Sequence, residues 1–479
     1  MATVVHINDR VVRSTAPVGS TLLDLLREVR DLTAAKPACR TGDCGACMVL
    51  VGVRSADEPE PAYEVHNSCL TTVGMVSGCH VITAEGLCGD ELCGDELGVV
   101  QRALVDTGAV QCGYCSPGFV VALTWALMSG TDPRRAAAGN LCRCTGYTAI
   151  RRACDLLAAD PGPFPLDSLL TSPVVRVARE LPALDPEPFD VHHRVLAGAT
   201  AEIPEHRHAT AQHGRPTLLR RVPELCRITR VPGGVELGSA VTAAEVQGSD
   251  LIAERWPALP EHLEQFGSPA VRTSATLGGN LVHASPTADL ALPLLAMGAS
   301  VVVSGPGGRR EIPLERFFLA YRRVDLRHGE VLLAVRIPDP PAGSRLHLEK
   351  VARRRFDDIA SASLAVRLDA DPTGALAGLR IAAGGVAPIP LLLTRTADAL
   401  RGTRPDAAGI RRAIGVLADE VTPIDDVRGS AAYKRALLGH LLVAALTAGN
   451  LDIAAETLGL GPPGRPPQPA PPARAGAAR

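Results

Sequence analysis

Eight cysteines in two short-range patterns constrain this chain more than any other feature. Cys39, Cys44, Cys47 and Cys69 follow C-x4-C-x2-C with a distant fourth member, and Cys112-x2-Cys115 with Cys142-x-Cys144 makes a second set. The first spacing is the plant-type [2Fe-2S] arrangement. Four thiolates serve it because each iron takes two, and Gly42, Gly45 and Ala46 leave room for backbone N–H groups to reach the sulfurs. Structural zinc also accepts four thiolates, but it usually takes pairs separated by roughly two to four residues. In the second set each pair stands beside an expected helix terminus, where N–H groups point towards negative charge. There the spacing alone leaves cluster and zinc as close competitors.

Twelve of the 13 cysteines lie between Cys39 and Cys154, leaving Cys226 in the remainder. Met1 to Val12 alternates polar and apolar residues and lacks a basic region followed by an apolar one, so a cytoplasmic protein is expected. In that compartment clustered cysteines read as metal ligands rather than disulfides. Cys79, Cys154 and Cys226 read as buried small hydrophobes. The formal net charge is -2, from 49 basic and 51 acidic residues, and no block of like charge favours nucleic acid or an anionic surface. No apolar stretch approaches the roughly 18 residues of a spanning helix. Small molecules and protein partners remain.

With 479 residues, the chain has length for roughly three or four domains. Thr3 to Ile7 and Arg10 to Ser14 read as strands around an Asn8-Asp9 turn. A helix follows, with Leu22, Leu25, Leu26 and Val29 on one face and Thr21 with Asp24 at its start. The Cys39 to Cys47 loop leads into a strand at Met48 to Val53, so residues 1–86 form a small α+β domain. Between Leu87 and Leu97 the pentapeptide LCGDE, which contains Cys88 and Cys93, occurs twice; it reads as a duplicated connector without chemistry. Residues 96–158 are helical, with a helix from Phe119 to Met128 ending at Gly130 and another from Tyr147 to Leu157. Residues 159–188 read as an extended, proline-rich linker. From 189 to 340, strands such as Val301 to Ser304 and Val331 to Ile337 mix with a helical run at Asp289 to Met297. Residues 345–448 are expected to alternate strands and helices, and 461–479 to be a disordered tail.

The stretches QCGYCSPG and GNLCRCTGY resemble the second iron-sulfur domain of xanthine dehydrogenases and related molybdenum hydroxylases, and GDCGAC resembles the same family's ferredoxin-like domain. The resemblance covers most of residues 1–158 and 194–445. It implies a multidomain α+β chain: a β-grasp ferredoxin-like domain, a helical [2Fe-2S] bundle, an α+β FAD-binding domain and a C-terminal α+β flavoprotein domain.

No G-x-G-x-x-G follows a strand and opens a helix; Gly305-Pro306-Gly307-Gly308 reads as a hairpin turn. Two other glycine-containing stretches expose N–H groups that suit a pyrophosphate, Leu196-Ala197-Gly198-Ala199-Thr200 and Thr276-Leu277-Gly278-Gly279-Asn280, though either alone also reads as a tight turn. TLGGNLVHASPTAD resembles the flavin-binding motif of the same family. By that resemblance, Leu196, Ala197, Gly198, Ala199, Thr200, Ala201, Glu202 and Ile203 cradle the FAD phosphates together with Thr276, Leu277, Gly278, Gly279 and Asn280. Phe266, Ser285, Asp289, Leu333 and Lys350 line the rest, with Tyr321 and Asp357 nearer the flavin ring and the nicotinamide. Many family members read AGGTD in the first loop. Here the second glycine is Ala199 and the acid is Ala201, with Glu202 next to it as a substitute carboxylate.

The resemblance implies an electron-transfer subunit of a molybdenum hydroxylase, with two [2Fe-2S] clusters and FAD, passing electrons from a molybdenum centre to NAD. No molybdopterin domain follows the flavoprotein region, so a separate large subunit is expected to supply it, in a heteromer such as a dimer of heterodimers. Xanthine is the expected substrate of the complex. An aldehyde or N-heterocycle dehydrogenase is the alternative, and a zinc-bound non-catalytic scaffold is the alternative from another class.

Overall fold

The structure is a computed structural model that describes residues 3–28, 32–54, 60–87, 97–159, 164, 167, 169–184, 195–206, 216–371, 373–403 and 406–448. Most of the LCGDE repeat, with Cys88 and Cys93, and the expected tail lie outside the described residues. Strand β1 (Thr3–Ile7) pairs antiparallel with β2 (Arg10–Ser14), and Asn8 takes the left-handed conformation that a tight turn needs, φ 50°. The helix Leu22–Glu28 begins where Thr21 Oγ1 accepts from the Asp24 amide at 3.2 Å. Its Leu22, Leu23, Leu25 and Leu26 bury against Val5, Ile7 and Val81. With β3 (Met48–Val53), β4 (Ala62–Asn67) and β5 (His80–Ile82), the order is β2-β1-β5-β3-β4, and β1 runs parallel to β5 in a β-grasp sheet. Cys47 immediately precedes β3 and Cys69 lies two residues beyond β4, so this hairpin carries half of the first cysteine set.

Helices Val99–Asp106, Ser116–Ser129, Pro133–Ala136 and Thr148–Ala158 pack around Phe119, Val121, Leu123, Ile150 and Ala153. Gly130 ends the second of them at φ 70°. Met48 and Leu50 of β3 enter the same core, so the sheet and the helical unit share buried surface. The expected extended linker contains a helix instead, Ser172–Glu180, which buries Val174 and Val175 in that core. Prolines dominate the stretch in the sequence, but Pro173 stands in the first helical turn, where a missing N–H costs nothing.

Farther along, β6 (Val195–Leu196) pairs parallel with β7 (Thr217–Leu218). Next come β8 (Ile228–Val231), β9 (Gly234–Gly238), β10 (Ser300–Gly305), β11 (Gly308–Pro313), the short hairpin of β12 (Phe318–Ala320) and β13 (Arg323–Val324), and β14 (Val331–Pro338). They form a sheet of order β11-β10-β14-β9-β8, with the expected hairpin between β10 and β11. The helix expected from Asp289 starts at Ala291. Asp289 is occupied by Lys350 instead. In the last region the predicted alternation gives way to strands followed by helices. β15 (Arg345–Val351), β16 (Ala362–Ala370), β17 (Leu376–Gly384) and β18 (Leu391–Leu392) form one antiparallel sheet. Helices Ala407–Glu420 and Ala431–Ala448 close the core over Leu364, Val366 and Ile381. Short connections between neighbouring strands favour this meander, since only parallel neighbours need a helical crossover. Among the described residues no helix is long and apolar enough to cross a membrane.

Candidate functional site

The first cysteine loop is shaped by backbone that glycine favours. Gly42 and Gly45 have φ 90° and 66°, and Arg40 joins them at 59°. A Cβ on Gly42 would overlap Leu70, and one on Gly45 would lie 2.5 Å from Asn140 Nδ2. Three polar side chains missed by the sequence reading pin the loop: Asn67 Nδ2 donates to Gly42 O at 2.9 Å, Ser68 Oγ to Cys47 O at 2.7 Å, and Arg40 to Asp24 at 2.9 Å. Their partners are backbone atoms or distant residues, which no spacing rule reveals.

The four thiols meet pairwise. Cys39 lies within hydrogen-bonding reach of Cys44 and of Cys69, and Cys69 within reach of Cys47. The contacts with Cys44 and Cys69 hold the Cys39 thiol far below its usual range, whereas contact with Cys39 and Cys47 pushes Cys69 far above it. The Thr41 amide also donates to Cys39 Sγ at 3.4 Å. In the second set, Cys112 is in reach of Cys144 and Cys115 of Cys142. Burial, then Cys142, pushes the Cys115 thiol up to about 12, and Thr145 Oγ1 donates to Cys142 Sγ at 3.3 Å. Two thiol pairs in each set, supplied with N–H or O–H donors, fit a two-iron cluster. Of the other cysteines, Cys79 and Cys154 are buried as expected, but Cys226 is only half-buried, at the edge of a small core around Leu219 and Leu225.

The two sets touch. The Leu141 amide donates to Cys44 O at 3.0 Å, and Asn140 Nδ2 donates to Gly45 O at 3.2 Å. Gly118, three residues beyond Cys115, packs so close to Gly45 O that a side chain would overlap it.

The segments expected to hold FAD also converge. Gly198 lies directly on the Ser274 carbonyl, leaving no room for a Cβ. Ala199 keeps the left-handed backbone of the glycine it replaces, at φ 57°. Thr200 and Ala201 lead into a helical turn at residues 202–206, where Ala199 O accepts from the buried Ile203. Glu202 faces His206 at 3.6 Å within that turn. Thr276 Oγ1 accepts from the Gly279 amide at 3.1 Å and starts the helix Leu277–His283. Gly278 donates to Ser239 O at 2.8 Å, and the Ser239 amide donates to Leu333 O at 2.8 Å. Two buried oxygens here, Asn280 Oδ1 and Ser239 Oγ, have no protein partner. Orphaned polar atoms beside crowded glycines fit a polar ligand such as a dinucleotide's phosphates and ribose.

Lys350 Nζ bonds to Asp289 Oδ2 and Gln265 O, both at 2.8 Å, with the lysine side chain only 2% exposed. Burial raises the Asp289 carboxyl, against the pull of Lys350. Arg272 Nη1 reaches the carbonyls of Phe266 and Gly267 at 3.1 Å. Asp357, in a left-handed conformation at φ 51°, is pushed up to about 6 by burial and then by Asp43 of the first cysteine loop, against Arg354, Lys350 and Arg272. Ser285 Oγ meets Thr287 Oγ1 at 3.1 Å just after the helix. Tyr321 is 60% exposed and reaches the phosphate segments through its neighbour. Arg322 grips Glu205 at 2.6 and 2.8 Å, and Glu205 is 3.2 Å from His283. This clamp escapes a sequence reading because its members lie on three separate segments.

Comparison with known proteins agrees with the geometry. Residues 5–74 match the 2Fe-2S iron-sulfur cluster binding domain, 83–155 the [2Fe-2S] binding domain, 180–340 the FAD binding domain in molybdopterin dehydrogenase, and 348–448 the CO dehydrogenase flavoprotein C-terminal domain. Fold and site together define an iron-sulfur flavoprotein. Xanthine dehydrogenase of Drosophila pseudoobscura pseudoobscura is 28% identical over 92% of this chain, and aldehyde oxidase 1 of Bos taurus 27% over 91%. The chain spans 38% of the length of each of these relatives. Among solved structures, a carbon monoxide dehydrogenase chain from Hydrogenophaga pseudoflava aligns with a TM-score of 0.51 and 30% identity, over 55% of this chain and 90% of that one. One from Oligotropha carboxidovorans aligns at 0.52 and 27%, over 56% and 100%. The chain belongs to the molybdenum hydroxylase family of oxidoreductases and corresponds to its iron-sulfur and FAD-binding part.

Proposed function

We propose that this chain is the electron-transfer part of a cytoplasmic xanthine dehydrogenase-like complex, handing electrons from a molybdopterin-binding partner subunit to NAD. The observation that carries the reading is the contact in series: residues beside Cys142 bond to the Cys44–Gly45 backbone, and β4, whose Asn67 holds Gly42 of the first cysteine loop, accepts at Val65 O from Thr273, just before the Thr276–Asn280 segment. When bound, the clusters carry single electrons and FAD gathers two for release as a hydride.

In this reading Cys39, Cys44, Cys47 and Cys69 hold one cluster and Cys112, Cys115, Cys142 and Cys144 the other. Gly198 to Ile203 and Thr276 to Asn280 hold the FAD phosphates, while Lys350 and Asp289 fix the pocket wall beside Phe266. Tyr321 and Asp357 stand at the nicotinamide end. Cys112 and Cys144 are exposed, as are Tyr114 and Leu141 beside them, which suits the side facing the partner. Boundaries at 1–86, 96–158, 189–340 and 345–448 go with this assignment.

Iron, sulfide, zinc and FAD content, with the visible spectrum before and after dithionite, tests the reading. Four irons and one FAD per chain, bleaching on reduction, are expected; zinc without flavin would sink it. A second reading has specific support: relatives include an aldehyde oxidase and carbon monoxide dehydrogenases. The selective pocket then lies on the partner in every case, so substrate profiling of the copurified complex separates the two.

A further inference from the structure

Residues 273–276 belong to both cofactor regions at once. On one side Thr273 Oγ1, buried, donates to Val65 O of β4 at 2.6 Å, and Ser274 Oγ lies 3.1 Å from His66 Nδ1. On the other side the Ser274 carbonyl lies against Gly198, and Thr276 caps the glycine segment through Gly279. β4 itself ends at Asn67, whose amide holds Gly42 of the first cysteine loop at 2.9 Å, two residues before Cys69. A continuous run of buried bonds and close packing therefore joins the first cluster loop to the first flavin loop.

From this arrangement we infer that the two sites are thermodynamically coupled through β4 and Thr273–Ser274, an inference that rests on the cofactor assignment made above. A filled first cluster fixes Asn67 and the end of β4, and β4 fixes Thr273 and Ser274. Gly198 packs on the Ser274 carbonyl, so the flavin loop closes only when that carbonyl is in place. Binding energy then runs both ways, because coupling between two binding equilibria is reciprocal. Thr273 is a positioning residue: its hydroxyl faces a backbone carbonyl of the cluster domain and has no place in the phosphate cradle. Typical couplings of this kind amount to about 5- to 150-fold. The second set is one step farther from this path, bonded to the first loop through Leu141 and Asn140, and its Cys112 and Cys144 are exposed.

The test uses the full chain carrying both clusters, prepared with FAD and after reversible removal of FAD. Iron release to a chelator is followed separately for the two clusters by their EPR signals after reduction. Release passes through a local opening of the cluster loop, so coupling that holds the loop closed lowers the open population and the rate by the same factor; FAD is expected to slow release from the first cluster at least about 5-fold and from the second by less. Thr273→Val is expected to abolish that difference, and Thr273→Ser to restore it. Equal first-cluster rates with and without FAD overturn the coupling, as does a difference that survives Thr273→Val. If the valine variant fails to fold, the two rates of the unaltered chain decide alone. A chain that takes up neither iron nor FAD overturns the functional reading itself, and the coupling with it.

Discussion

The Leu141 amide and the Cys44 carbonyl meet at 3.0 Å, and this one hydrogen bond joins the neighbour of a second-set cysteine to a first-set cysteine. Asn140 reinforces it through Gly45 O, and Asn140 is 3% exposed, so water cannot replace the side chain. Asn140→Ala leaves Gly45 O with the Met48 amide as its one remaining donor, at 3.2 Å, so the loss expected is that of a single hydrogen bond, about 0.5–1.5 kcal/mol. Chemical unfolding is expected to show that loss, and rapid-reduction kinetics a slower electron exchange between clusters; unchanged exchange with lowered stability would make Asn140 a packing residue alone.

Ala199 sits in backbone that suits glycine, but its methyl is small and buried. Strain relief in Ala199→Gly is offset by chain entropy and lost apolar burial, so its stability should stay within about 1 kcal/mol of the parent. A β-branched side chain has no such latitude, and Ala199→Val is expected to cost about 1–3 kcal/mol. Thermal melting of the pair checks the contrast.

Removing Lys350 strands the Asp289 carboxylate. Lys350→Met is expected to lose about 3–5 kcal/mol near neutral pH, as for other broken buried pairs. Burial already raises the Asp289 carboxyl and, without the lysine, nothing opposes it. A raised acid contributes stability at low pH and loses it as pH rises. The deficit should therefore be smaller at pH 5 than at pH 8 in urea titrations, and a pH-independent deficit would show that the carboxylate finds another partner.

Asp357 gives a second pH signature. Its carboxyl is pushed from 3.8 to about 6, first by burial and then by Asp43. The folded state thus holds a proton that the unfolded chain has released, and stability falls as pH rises through that interval. Asp357→Asn removes the effect, so the variant should gain on the parent between about pH 4 and pH 7 and then level off. A difference that is flat across this range would show that burial does not raise the Asp357 carboxyl.

Much of this was legible because the signals are local. The turn at Asn8, the Thr21 cap, the stop at Gly130 and the cysteine spacings each announce themselves within a few residues, and the structure has elements at those places. The segments proposed to hold FAD stood out only through resemblance, since their glycines gain meaning from Ser239 and Ser274, which are distant or contact them through backbone. Helix Ser172–Glu180 was hidden by its prolines, and its apolar residues need the helical core to give them a face. Asn67, Asn140 and Glu205 were invisible for a related reason: each acts on a partner at least 25 residues away.

Burial divides the two cysteine sets in a way that bears on access. Cys47 and Cys69 are 3% and 2% exposed, whereas Cys112 and Cys144 lie open. Each set nevertheless has a mixed wall, since Cys39 and Cys44 are half-buried and Cys142 is buried. A thiol reagent applied to the folded chain therefore meets Cys112 and Cys144 first and Cys47 and Cys69 last.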